Sequence, residues 1–519
     1  MKQILLFSAA LLATGSAMAD SQLDEYQKWR QKELSSFQSY LDENDKAFIG
    51  FLKDQWKPVD VKPAEVRDPK PKPVELPKAP AKQPPLADKP AVVISDSKPP
   101  VKVKPKPKPA AEATKPSATK PAPAKPETTK PGSSVRPALK PRPEPQPSVA
   151  GTELKSKRVH TASFNFYGNP VSIEYPKNFK RIFTGKINNE KIADYWKYLA
   201  SKEHQPTINQ LKATARQLKL NDWGTALLFD RFSGSFLRQQ TSRQLTTWFL
   251  LVKAGYDARV AYNNNLFLLL PSKQELFGVT FFTLNKKRYY AVNLNGKPMK
   301  PGKVFTYSGQ HGAGAGALDF SQPNNFAARG KVAKRTLSFS YADKKYDIRI
   351  DYPTRYVDYF NSFPQLSLPN YFQAGLPAVT AESLLSQLKP VVAGQTEQEA
   401  VNRLLRFVQT SFQYQTDDQQ FKEENYLFPL ETLHYPYSDC EDRAALFAWL
   451  TENLLDLEVI ILDFPGHVAT AVNFSDRVKG DAWQYQGKRY VVADPTYINA
   501  VAGMTMPQFA GKAPKVQPF

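Results

Sequence analysis

The 103 residues from Lys57 to Val159 hold 25 of the chain's 44 prolines and no Phe, Tyr or Trp. Proline fixes φ and removes a backbone donor, and a segment without large apolar side chains has nothing to bury. The composition therefore predicts a disordered Pro/Lys-rich linker over 57–159, rich in polyproline II and stiffened by like charge in runs such as Val101 to Pro109. At about 3.1 Å per residue such a segment reaches on the order of 300 Å when fully extended, so it spaces two parts of the chain. It also carries 23 Lys and Arg against 10 Asp and Glu, which is +13 of the formal +21 of the 519-residue chain. The basicity belongs mainly to the linker, and gives no reason to expect a nucleic-acid partner.

Ahead of the linker, residues 1–19 read as a secretory signal peptide. Lys2 supplies the positive start, Ile4 to Ala13 the apolar stretch, and Ala17-Met18-Ala19 the cleavage site before Asp20. No later segment approaches the 18 or so apolar residues of a membrane span. The expectation is an exported protein, periplasmic or secreted, with no integral membrane span. Residues 20–56 place Leu23, Tyr26, Leu34, Phe37, Leu41, Phe48, Leu52 and Trp56 mostly at three-to-four-residue steps. That spacing predicts an amphipathic helix or helix pair, packed on the body or held for a partner.

Residues 160–519 read as ordinary globular text with two similar halves. Ser163 to Pro176 and Ser338 to Pro353 both alternate apolar and polar residues up to a Tyr-Pro stop, and helical text follows each. An offset of 201 then pairs Leu245 with Leu446, Trp248 with Trp449, and Lys287-Arg288-Tyr289 with Lys488-Arg489-Tyr490. We expect a diverged tandem duplication of α+β class, with one copy at 160–330 and the other at 331–519.

Chemistry concentrates in the second copy. Cys440 is the only cysteine, which excludes an intramolecular disulfide and a multi-cysteine metal site. It opens the helical run Glu441 to Leu455, where unpaired N–H groups and the helix dipole favour a thiolate. A strand over Leu457 to Phe464, a Pro465-Gly466 turn, a strand opened by His467 and a third ending at Asp494-Pro495 follow. Cysteine, histidine and aspartate thus sit at the ends of adjacent elements, 27 residues apart each time. The order suits nucleophile, base and orienter in thiol acyl transfer. His434 is a further candidate oxyanion donor, and Arg443 a candidate partner for Glu441 or Asp442. The Gly-rich run Gly312 to Gly316 lacks a phosphate-binding Lys-Ser or Lys-Thr, so no cofactor is expected.

Asp-Cys-Glu-Asp-Arg-Ala on a helix, a histidine after the next turn, and Asp494-Pro495-Thr496-Tyr497 resemble the transglutaminase-like superfamily, over about Thr396 to Met506. The resemblance implies a papain-like catalytic fold with Cys440 as nucleophile, His467 as general base and acid, and Asp494 holding the imidazole. By analogy the backbone N–H of Cys440 would be an oxyanion donor. The aromatic residue that often follows the family's histidine is replaced by Val468 and Ala469. Location and resemblance together imply a peptide or protein substrate in the cell envelope, such as peptidoglycan or an envelope protein, with a catalytically silent binding module as the alternative. The 201 offset places Gln239, Leu266 and Asn293 where the second copy has Cys440, His467 and Asp494. The first copy is therefore expected to be degenerate, free to bind substrate or cover the active one.

Overall fold

A computed structural model of the chain describes residues 25–26, 28–29, 43–59, 62, 64, 78–81, 83, 85–94, 159–296 and 301–519. Residues 1–19, where a signal peptide is expected, lie outside them. The alternating segments form two antiparallel hairpins, Val159–Phe166 with Asn169–Pro176 and Val332–Tyr341 with Lys344–Pro353. Both turns use two residues at positive φ, Tyr167-Gly168 and Ala342-Asp343, which matches the right-handed twist of the flanking strands. Alternation then puts Val171, Ile173 and Tyr175 on the inward face of one hairpin, and Leu337, Phe339, Ile348 and Ile350 on that of the other.

Gln205–Gln217 and Asp222–Phe236 cover the first hairpin, and Ala378–Val392 and Glu397–Ser411 the second, while Asn189–Ala200, Gln240–Ala254 and Cys440–Leu455 pack on other helices and on the sheets. Asn188 and Thr396 cap two of them through side-chain oxygens that accept from Lys191 N and Glu399 N.

Each half ends in a six-stranded sheet, and five strands of each follow the same order. The first runs Val304–Thr306, Arg259–Tyr262, Leu266–Leu270, Lys287–Val292, Phe281–Leu284. The second runs Lys515–Gln517, Val459–Phe464, His467–Asn473, Lys488–Ala493, Ala482–Tyr485. Four strands of the first fall on four of the second at the offset of 201, and so do single bonds: Ala291 N donates to Thr280 O and Val492 N to Asp481 O. Trp248 and Trp449 lie in the helices Gln240–Ala254 and Cys440–Leu455 that precede the sheets. The halves share their main core, and each sheet keeps a smaller cluster of its own. One buried cluster includes Trp248, Leu337, Phe360, Phe407 and Phe447. Its bridge is the Phe360–Phe363 segment, whose rings meet Trp223 of the first half at 6.1 Å and Phe428 of the second at 4.9 Å.

The linker expectation needs correction over its first third. Lys57–Val59 adds an edge strand beside Val304–Thr306, and Val92–Val93 adds one, parallel, beside Ala482–Tyr485. Between them Ala79 N donates to Ile498 O at 2.8 Å, and Gly480 N donates to Ala87 O at 3.0 Å. Proline is compatible with an edge strand, because its missing N–H faces away from the partner; Pro58 sits at such a position. Composition averaged over 103 residues concealed this, and residues 60–61, 63, 65–77, 82, 84 and 95–158 of that expectation lie outside the described residues. The amphipathic reading of 20–56 falls partly on a helix over residues 43–53, which drives Phe48, Leu52 and Trp56 into the core. Asp45 on the same helix is buried, accepting from Trp196 Nε1 at 3.1 Å, Lys253 Nζ at 2.6 Å and His311 Nε2 at 3.1 Å. Among the described residues no helix is long and apolar enough to cross a membrane.

Candidate active site

Cys440 is the first residue of the helix Cys440–Leu455, after Asp439 in extended conformation at φ −109°. Asp439 N donates back to Asp442 Oδ2 at 3.3 Å, a reciprocal arrangement that fixes the helix start. The helix is buried through Thr451, with Ala444, Ala445, Leu446, Phe447, Ala448 and Leu450 all inaccessible to solvent, so its N-terminus is held rigidly. Asp456 ends it in the left-handed region at φ 56°.

The turn Pro465-Gly466, with Gly466 at φ 80°, reverses the chain so that His467 opens its strand opposite Phe464. His467 Nε2 lies 2.8 Å from Asp494 Oδ2. A carboxylate accepts only, so the hydrogen bond places a proton on Nε2, and in the neutral imidazole Nδ1 is then the nitrogen with the lone pair. Asp494 follows the strand Lys488–Ala493, and its other oxygen accepts from Thr496 N at 2.8 Å and Tyr497 N at 3.2 Å. The acid that orients the imidazole is therefore itself held on both oxygens. Cys440 Sγ accepts from Val468 N at 3.4 Å, which sets the sulfur against the peptide joining His467 to Val468. In any histidine Nδ1, bonded to Cγ, is the ring nitrogen closer to the residue's own main chain. The structure thus brings Cys440, His467 and Asp494 together, at 5 %, 5 % and 2 % exposure.

The surroundings are more acidic than the sequence reading anticipated. The Cys440 thiol donates to Glu441 Oε2 at 2.9 Å. Asp417, which opens the short helix Asp417–Gln420, and Glu424 just after it join Asp439, Glu441 and Asp442 at the first turn of the Cys440 helix. Two overlapping sets, Asp417 with Glu424 and Glu441, and Asp417 with Asp439 and Asp442, each keep their carboxylate oxygens within 4.8 Å of one another. These are the residues that could hold a cation. Burial first, then the neighbouring carboxylates, pushes Asp417 and Asp442 well above the usual carboxylate range. The phenol of Tyr414 is pushed up by burial and then by Cys440, Asp439 and Glu441. Asp439, Glu441 and Asp442 were visible as neighbours of the cysteine, but no local signal marks Asp417 or Glu424, which only the fold brings near.

Two expectations are corrected. Arg443 makes its hydrogen bonds elsewhere than to Glu441 or Asp442, and Asp442 acts on it through charge alone. Fully buried, it donates to Ser438 Oγ, Gln409 O and Phe412 O, so it ties the Cys440 helix to the end of the helix Glu397–Ser411. Burial lowers its guanidinium to about 10. His434 turns to the hairpin instead, with Nδ1 3.0 Å from Tyr352 Oη and its ring edge-on to Tyr352 and Tyr435.

In the first half the corresponding positions hold no acid, base or thiol. Gln239 precedes the helix Gln240–Ala254 and is engaged by the chain itself, donating to Phe183 O at 2.8 Å and accepting from Phe183 N at 3.2 Å. Leu266 is in the core. Asn293 follows its strand as Asp494 does, and accepts from Asn295 N at 3.1 Å just as Asp494 accepts from Thr496 N. Compared with protein-family models, curated proteins and solved structures, the chain matches none.

Proposed function

We propose that the protein is an exported thiol hydrolase or acyltransferase, acting on a peptide-like amide in the cell envelope through a transglutaminase-like, papain-type catalytic half preceded by a degenerate copy. The observation that carries the reading is the relay at one helix start: Asp494 Oδ2 at 2.8 Å from His467 Nε2, and Cys440 Sγ on the Val468 amide. His467 Nδ1 takes the Cys440 proton, and the thiolate adds to the substrate carbonyl carbon. The C–N bond breaks as the imidazolium returns the proton to the leaving amine. Water or a second amine, deprotonated by His467, then releases the acyl group from sulfur and restores the thiol. By analogy with thiol acyl-transfer sites, the Cys440 backbone N–H serves the oxyanion.

Glu441 works against the first step, because a carboxylate beside sulfur disfavours the thiolate that the helix and imidazole favour. That contact and the near-complete burial of all three residues support a second reading, a catalytically silent binding module on the same fold. The two readings separate by mass-spectrometric labelling of Cys440 with iodoacetamide across pH, in wild type and His467→Ala. The catalytic reading expects an inflection below the ordinary thiol value of about 8.5 that disappears in His467→Ala. Identical profiles, with no low inflection, leave the silent module.

A further inference from the structure

The strand opened by His467 continues with Val468 and Ala469, so no aromatic residue follows the histidine locally. An aromatic ring lies on the imidazole all the same. Phe509 stacks on His467 with centroids 4.9 Å apart and planes 13° from parallel. The same ring meets Phe464 at 5.1 Å, the residue registered opposite His467 across the two strands. Phe509 therefore sits on one cross-strand pair, although it lies 42 residues beyond the histidine.

The arm that carries it is fastened on both sides. Downstream, Lys515–Gln517 pairs antiparallel with Ile461–Asp463, and Gln517 Nε2 donates to Asp463 Oδ2 at 2.9 Å. Upstream, Gly503 N donates to Val492 O at 2.7 Å, and Gly503 O accepts from Asp481 N at 2.8 Å. Gly503 has φ +96°, and a Cβ there would fall 2.3 Å from Lys479 O, so only glycine lets the arm lie this close to the sheet. Between these fastenings Phe509 packs on a small apolar cluster of Ala79, Tyr497, Ala500 and Met506. Tyr497 belongs to the turn that also holds Asp494.

We propose that Phe509 is a positioning residue for His467, fixing the plane in which Nε2 meets Asp494 and Nδ1 is presented to Cys440. The assignment rests on the Cys-His-Asp reading above. One in-plane hydrogen bond leaves a histidine ring free to rock about its long axis, whereas a stacked ring on its face removes that freedom and excludes water from one side. The ionisable groups around the imidazole are Asp494, Cys440 with Glu441 beyond it, and, on the arm itself, Lys512, whose Nζ lies 5.7 Å from the Phe509 ring centre.

The test uses the full chain with Phe509→Ala, Phe509→Leu and Phe509→Tyr, and two readouts. One is the pH profile of Cys440 alkylation by iodoacetamide, judged by its His467-dependent inflection rather than its rate, since access also changes when the ring is cut back. The other is the downfield proton resonance of a histidine N–H bonded to a carboxylate, assigned by its loss in His467→Ala. Phe509→Ala and Phe509→Leu are expected to lose both signals, and Phe509→Tyr to keep both. If Phe509→Leu keeps both, bulk rather than a stacked ring suffices and the proposal falls; it falls equally if a folded Phe509→Tyr loses both. A wild-type alkylation profile indistinguishable from that of His467→Ala would instead overturn the catalytic reading, while the proton resonance still decides whether Phe509 orients the ring.

Discussion

Glu431 offers a quantitative test of the packing beneath the Cys440 helix. It is the third residue of the short helix Pro429–His434, 3 % exposed, with Oε2 accepting from Phe428 N at 3.0 Å. Burial pushes its carboxyl up to about 8 from an ordinary 4.5, against a small opposing effect of the Phe428 hydrogen bond. The folded protein then binds a proton that the unfolded chain has released, so stability falls as pH rises from 4.5 to about 8 and is flat on either side. At 1.36 kcal/mol per unit, the loss between pH 5 and pH 8 is about 3 kcal/mol. Glu431→Gln keeps an oxygen for Phe428 N and abolishes the titration. Urea unfolding of both proteins at half-unit steps from pH 5 to 8 should show the variant gaining steadily on the wild type as pH rises. An additional buried amide donor shifts the whole difference by a constant and leaves its slope alone. A flat difference across that window would refute the reasoning, because it would mean that Glu431 titrates alike in the folded and unfolded chain.

Other expectations follow from the same contacts. Glu441→Gln should speed Cys440 alkylation about tenfold or more below pH 8, since it removes a like charge from beside the thiolate; mass-spectrometric rates against wild type decide it. Asp45→Asn should cost about 3 to 5 kcal/mol in urea unfolding, because it leaves the buried Lys253 ammonium without its carboxylate, and Lys253→Met on the same background should recover much of that. A fragment beginning at His160 should unfold at lower temperature than the chain from residue 43 onward, having lost Phe48, Leu52 and Trp56 from the core and a strand from each sheet; equal melting temperatures would show that the N-terminal segment contributes nothing.

Local text carried much of the second half. Period-two alternation marked both hairpins, and the strand predicted to open at His467 does open there, because Pro465-Gly466 admits only a turn. The helix start at Cys440 was equally legible, since the helical run Glu441 to Leu455 begins directly after it. What the sequence concealed depends on long-range contact. Nothing near Asp417 says that it will lie under Cys440's helix, and nothing near Phe509 says that it will cover a histidine. The Pro-rich stretch misled for a related reason. Pro58 and Val92 need only one hydrogen-bonded flank each, and that flank is supplied by strands 247 and 391 residues further on.

Those separations also set an order of events in time. When residues 78–94 are made, none of their partners exists: Asp481, Gln484 and Ile498 come roughly 400 residues later. At on the order of 10 residues per second, the segment waits tens of seconds for a place to bind. Closing so long a loop adds little to the equilibrium cost, because that cost grows only with the logarithm of length. The delay is kinetic, and it makes this clasp among the last native contacts to form. Until the final sheet is complete, the strand Ala482–Tyr485 presents an unpaired edge to other unfinished chains. The proline-rich segment, present from the outset and attached to the same molecule, is the nearest partner able to cover that edge.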